Sequence, residues 1–248
     1  MRWKRTLALV GVCIPFAAAS SQAVDIGGIA GAGYAHSSGV SEWAGAGGAL
    51  FAFGNPGFQA QIDAGDEHIL VSHVSGDLLH AGGDVFWRDG KGTFGASVTY
   101  YSLSGGTGSW LFNAKASAES YGLFGEWYTT RWLSLRLAGG RYSGDFSGEY
   151  GGAGVGLYPL PDLQLTGTFD YVTLHGGGHA SVYSGGAEYM PFRSIPVSVA
   201  AEYARETGGG SSNTISIVLK YRFGGATGAP LVGWDRRGPV QWNAALPI

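Results

Sequence analysis

The sequence predicts an all-β protein: a single antiparallel transmembrane β-barrel, most simply of twelve strands. Three observations carry this. Segments with alternating apolar and polar side chains recur down the chain, as in 214–223, where Ile215, Ile217, Leu219, Tyr221 and Phe223 share one parity. Thr214, Ser216, Lys220 and Arg222 hold the other parity, with Val218 the one exception. Successive residues of a strand point to opposite sides, so such a segment has one oily face and one wet face. The connections between segments are alternately compact and extended, as in barrels that cross a bilayer. An export-type leader precedes them all.

In that leader Arg2, Lys4 and Arg5 form a positive start, Leu7 to Ala19 is uncharged and apolar, and Ser21-Gln22-Ala23 offers small residues for cleavage. Residues 1–23 therefore read as a signal peptide removed near Ala23, too short in its apolar core to remain as an anchor. The chain's one cysteine, Cys13, lies inside the leader with Val12 before it, so a lipoprotein signal does not fit. The mature chain then has no thiol for a disulfide, a zinc–thiolate site or a nucleophile.

The segments follow in order. The first, 25–36, alternates weakly, and 42–53 carries Gly45 and Gly47 on its faces. The compact Gly54-Asn55-Pro56-Gly57 precedes 58–65, and the extended link 66–77 leads to 78–88. Asp89-Gly90-Lys91-Gly92 turns the chain into 93–103, with Phe94, Ala96, Val98 and Tyr100 on the oily side. After the Gly/Ser-rich link 104–118 comes 119–128, and Thr129-Thr130-Arg131 returns it into 132–143, with Leu133, Leu135 and Leu137 outward. Beyond 144–146, the Gly-rich 147–158 reaches Pro159-Leu160-Pro161-Asp162 and then 163–173, with Leu163, Leu165, Phe169 and Tyr171 outward. The link 174–178 leads to 179–190, the turn from Pro191 to Ile195 to 196–206, and 207–212 to 213–223. Gly, Pro, Asn and Asp fill the compact turns because they suit tight backbone conformations. Ten strands result if 58–65 and 78–88, or 147–158, fail to pair. Ten or eleven residues at ~3.3 Å each, tilted ~40–45°, cover the apolar band of about 25 Å that a barrel presents to lipid.

Composition excludes other classes. The 45 glycines in 248 residues have no three-residue period, which rules out collagen. Charged residues are only 13% and aromatics 13%, which argues for an ordered chain. Without Arg2, Lys4 and Arg5 the 15 basic residues fall to 12 against 18 acidic ones, a net charge of −6, so no basic nucleic-acid footprint exists. The Gly pairs lie inside strands with no helix after them, so no phosphate cradle or cofactor site is expected.

Over residues 24–223 the chain resembles the porin-like outer-membrane β-barrel proteins of Gram-negative bacteria. The resemblance rests on Asp84-Val85-Phe86-Trp87-Arg88-Asp89 entering a turn, on 156–165 (GLYPLPDLQL) crossing one, and on the closing Lys220-Tyr221-Arg222-Phe223. It implies insertion among outer-membrane lipid, a periplasmic position for the turns and both termini, and passage of small solutes. It also implies that Tyr221-x-Phe223 is read by the barrel assembly machinery. The chain departs from the family by running 25 residues further, to Ile248.

Parity places Asp63, His80, Asp84, Arg88, Glu126, Arg136, Asp170, Glu188, Glu202, Lys220 and Arg222 inside, with Lys220 and Arg222 expected to face Glu202. Asp63, Asp84, Glu126, Arg136, Asp170, Glu188, Glu202, Lys220 and Arg222 are the candidate pore lining. The two readings are a polar pore whose field orients small solutes, and a narrow lumen sealed by its own ion pairs. A sealed barrel would serve a structural or adhesive role through its loops. An enzyme reading rests on His36 and Ser38 alone, as base and nucleophile of a lipid hydrolase, with Gly39 where a third group would be wanted. His68, His73 and His80, with Asp66, Glu67 and Asp77, crowd the 66–77 region, but their spacing is not that of a metal motif. The 104–118 link, with Trp110-Leu111-Phe112, is the expected constriction. Tyr34, Trp43, Trp87, Tyr101, Trp127, Tyr128, Trp132, Tyr158 and Tyr189 suit interfacial girdles. The tail, 224–248, should hold no long helix or central strand, because Pro230, Pro239 and Pro247 interrupt it. It either stays loose or folds into the mouth, with Trp234 on the wall and Arg236 and Arg237 paired to Glu126 or Glu188.

Overall fold

The computed structural model describes residues 25–53, 57–71, 74–106, 113–208, 211–224 and 228–239. The leader and its cleavage point, His73, the Trp110-Leu111-Phe112 cluster and the tail beyond Pro239 lie outside the described residues. Twelve strands form one closed sheet. They are β1 (Asp25–Ser37), β2 (Val40–Ala52), β3 (Gly57–Val71), β4 (Val74–Arg88), β5 (Gly92–Gly106) and β6 (Asn113–Thr130), then β7 (Leu133–Gly144), β8 (Gly148–Leu160), β9 (Leu163–Leu174), β10 (His179–Tyr189), β11 (Val197–Gly208) and β12 (Ser211–Phe223). A short helix, α1 (Leu231–Asp235), follows. Each strand pairs antiparallel with its sequence neighbours, and β1 closes the ring on β12 from Gly28 opposite Phe223 to Ser37 opposite Thr214. All the doubtful segments pair, which removes the ten-strand alternative.

The outward face is oily all the way round. Trp43, Phe58, Phe94, Leu123, Leu137, Tyr203, Ile217 and Leu219 all stand exposed. Large apolar side chains in this number do not face water on a soluble protein; they mark a surface meant for lipid. A charge placed there tests the reading directly. Leu137→Arg, at 52% exposure in the middle of β7, should lower stability by about 2–4 kcal/mol in lipid. Urea unfolding in vesicles measures it, and an unchanged midpoint would argue against a lipid-facing position.

Two regions differ from expectation. The links 66–77 and 104–118 are largely strand: β3 and β4 run to Val71 and from Val74, and β5 and β6 to Gly106 and from Asn113. His68 and Asp77, read above as loop residues, are cross-strand partners, with Nδ1 and Oδ1 2.5 Å apart. Beyond the bilayer a strand need not alternate oily and wet side chains, so its extension leaves little trace in the pattern. At the other end, Gly224 adopts φ +68°, a conformation that favours glycine, where the chain leaves β12. A side chain there would also overlap the Ile26 carbonyl.

Candidate functional site

The lumen has a filled side and an open side. On the filled side Leu50, Phe86 and Phe124 pack together with Ala138. A second cluster joins Leu78, Tyr101, Tyr142 and Val172, with Leu103, Phe146 and Tyr150 against it. Tyr150 lies over Gly122 and Gly140, and a side chain at either would overlap its hydroxyl. On the open side, β1 and β2 turn Gly31, Gly33, Ala44, Ala46 and Gly48 toward the lumen. These small residues, with Gln61, Asp63, His80, Val218 and Lys220, border a cavity of about 260 Å³.

At the mouth where β1 begins and β12 ends, charged side chains converge. Glu188 of β10 receives Lys220 Nζ at 2.8 Å, Arg222 Nη2 at 2.5 Å and Ser198 Oγ at 2.5 Å. Arg222 also donates to Ser198 Oγ at 2.6 Å, and its side chain is only 2% exposed. Ser198, on the strand between them, is short enough for the long β12 cations to reach across it. Glu126 and Arg136 form a second pair, Nε to Oε1 at 3.0 Å.

The tail enters this mouth. Leu231 is fully buried and packs with Trp234 and Met190. The first amide groups of α1 lack partners within the helix. The β8–β9 turn supplies them: Leu231 N–H donates to Asp162 Oδ1 at 3.3 Å and Val232 N–H to the Pro161 carbonyl at 3.1 Å. Asp235 then accepts from Arg222 Nη2 at 3.2 Å and from the Tyr158 hydroxyl at 3.0 Å. Tyr158 in turn accepts from Gln164 Nε2 at 2.7 Å. Burial pushes the Asp235 carboxyl above its ordinary value, and the Arg222 guanidinium pulls against that shift. Arg236 stacks over Tyr128, 4.8 Å to the ring centroid, and donates to the Thr130 carbonyl at 2.6 Å. The tail thus docks with Trp234 on the wall, but through a carboxylate bound to a β12 cation. Arg236 meets rings and a carbonyl instead of Glu126 or Glu188.

The other expected residues are placed as follows. Glu202 lies opposite Ser216, not opposite Lys220 or Arg222, because the β11–β12 register sets Ser198 against Lys220. Asp63 sits opposite Gly48 and Gly82, and Asp84 opposite Gln61. Asp170 accepts from Thr168 Oγ1 at 3.3 Å. Tyr34, Trp43, Trp87, Trp127, Trp132 and Tyr189 are exposed on the outer face, whereas Tyr101 and Tyr158 are buried inward and Tyr128 lies under Arg236. Parity with Glu126 and Gly156 was the available signal for Tyr128 and Tyr158. His36 Nδ1 lies 3.3 Å from Ser41 Oγ across the β1–β2 hairpin, so Ser41, not Ser38, is its hydrogen-bond partner.

No protein-family model and no curated protein matches the sequence. Solved structures do match its shape. The KdgM porin superposes with a TM-score of 0.54 at 12% identity, over 79% of this chain and 99% of that one. The NanC porin gives 0.52 at 10% identity, over 77% and 98%. The β-domain of the Bordetella autotransporter BrkA gives 0.52 at 13% identity, over 82% and 100%. The fold is the closed antiparallel barrel that these porins and the autotransporter domain share. At these identities the likeness concerns the fold alone.

Proposed function

We propose that the chain is an integral outer-membrane barrel that lets small solutes pass passively. The observation that carries this is the lopsided lumen. Aromatic side chains fill one side, while the glycines and alanines of β1 and β2 leave space beside Gln61 and Asp63. A second, larger cavity lies at the tail-side mouth, bordered by Gln59 and Arg88 among others. A barrel meant to be solid would be expected to fill this wall with larger side chains. Asp63, Asp84, Glu126, Arg136, Asp170, Glu188, Glu202, Lys220 and Arg222 then line or brace the path, and their charges orient the solute.

In this reading outer-membrane lipid covers the belt, a leader removed near Ala23 directs export, and the tail end faces the periplasm. Tyr221 and Phe223, both outward on β12, are available to the assembly machinery. No covalent step is required, and His36 and Ser38 take no part. Reconstitution into planar bilayers decides the matter: discrete conductance steps are expected from the purified, heat-modifiable barrel. A flat trace would favour a sealed barrel working through its loops.

A further inference from the structure

Between α1 and the wall formed by β1 to β4 lies a cavity of about 650 Å³. Three guanidinium groups border it: Arg88 from the end of β4, and Arg236 and Arg237 just beyond α1. Arg88 is only 3% exposed. Its Nε donates to Thr93 Oγ1 at 3.0 Å and its Nη1 to the Gly238 carbonyl at 2.8 Å, both neutral acceptors. The Phe86 ring lies 5.0 Å from its central carbon. Among the described residues its Nη2 has no hydrogen-bond partner, and neither does the buried Nε of Arg236. Gln59, also on the cavity, leaves its amide oxygen unpartnered, and that amide can turn either a donor or an acceptor inward.

A buried guanidinium whose direct hydrogen bonds go to neutral acceptors is costly, and the Phe86 ring, the Tyr128 hydroxyl and the field of the Glu126 carboxylate offset only part of that cost. The nearby carboxylates are engaged elsewhere or set at the rim. Glu126 is held by Arg136 at 3.0 Å, and Asp89 accepts the turn amides of Lys91 and Gly92 at 2.7 and 3.0 Å. Asp25 borders the cavity at the exposed start of β1. Arg88 Nη2 and Arg236 Nε remain without an acceptor at the border of this cavity.

We propose that this cavity binds an oxyanion, the carboxylate or phosphate group of a small solute, between Arg88 Nη2 and the Arg236 guanidinium. Arginine suits the task because its planar donors match two oxygens of one anion. The site joins the barrel wall to the tail, so an anion held there also ties the tail down. It stands whether or not the lumen conducts.

The test is calorimetric titration of the folded, detergent-solubilised barrel with inorganic phosphate at constant ionic strength. Saturable binding is expected, weakened about tenfold or more by Arg88→Gln and by Arg236→Gln, the loss of one charge-assisted hydrogen bond in each. Arg141→Gln, an exposed change on the outer face of β7, should leave it unaltered. Absence of saturable heat, equal affinity in both cavity variants, or an equal loss in Arg141→Gln would overturn the proposal. If Arg88→Gln fails to assemble, Arg236→Gln, outside the strands, decides alone. Phosphate binding by a barrel that shows no conductance steps would keep this site while removing the channel.

Discussion

Truncation after Gly225 is expected to raise the single-channel conductance severalfold while leaving the barrel assembled. α1 fills the mouth with Leu231 and Trp234 against Met190, and the segment after it lays Arg236 across Tyr128 and Tyr158. None of these contacts contributes a strand pairing, so their loss does not open the sheet. Arg222 forfeits Asp235 at 3.2 Å but keeps Glu188 at 2.5 Å, so no buried charge is stranded at the seam. Arg88 loses the Gly238 carbonyl, and the mouth loses Arg236 and Arg237 together with Asp235, which leaves it softer and less basic. Gel mobility with and without heating reports assembly, and planar-bilayer recording reports the pore. An assembled variant with wild-type conductance would show that the tail rests beside the solute path, not in it.

Outer faces were the legible part of this fold. Lipid demands an apolar side chain at every second position, so Ile215, Ile217 and Leu219 declare their face whatever their partners are. The lumen obeys a looser rule, since an inward side chain can meet water, a charge or another ring. Composition therefore misplaced Tyr101, Tyr128 and Tyr158, which girdle logic put outside and which the structure puts inside. Parity also cannot say which inward charges meet. Glu188 and Glu202 both point inward, and only the register, Ser198 against Lys220, selects Glu188. The tail was legible in its tryptophan, Trp234, but not in its charges. Asp235, which stands in the tail's one distinctive cluster, 234–237, carries the contact expected of Arg236 and Arg237, because Arg222 lies within reach of it.

Glu188→Ala should cost about 3–5 kcal/mol of barrel stability, the range for removing one partner of a buried ion pair. The carboxylate side chain is 6% exposed and answers two cations at once, Lys220 at 2.8 Å and Arg222 at 2.5 Å. Its removal also leaves Ser198 Oγ, fully buried, without the acceptor it now has at 2.5 Å. Arg222 would retain only Asp235, at the longer 3.2 Å, so the tail contact becomes the sole anion near a 2%-exposed guanidinium. The penalty should therefore grow when the tail is absent. Glu188→Ala in the chain truncated after Gly225 is expected to lose more than the sum of the two separate changes, because each change leaves Arg222 relying on the other anion. Urea unfolding in lipid vesicles, followed by gel mobility, measures all four corners of that cycle. Strict additivity would mean that Asp235 and Glu188 do not share Arg222, and that the seam and the tail are energetically separate.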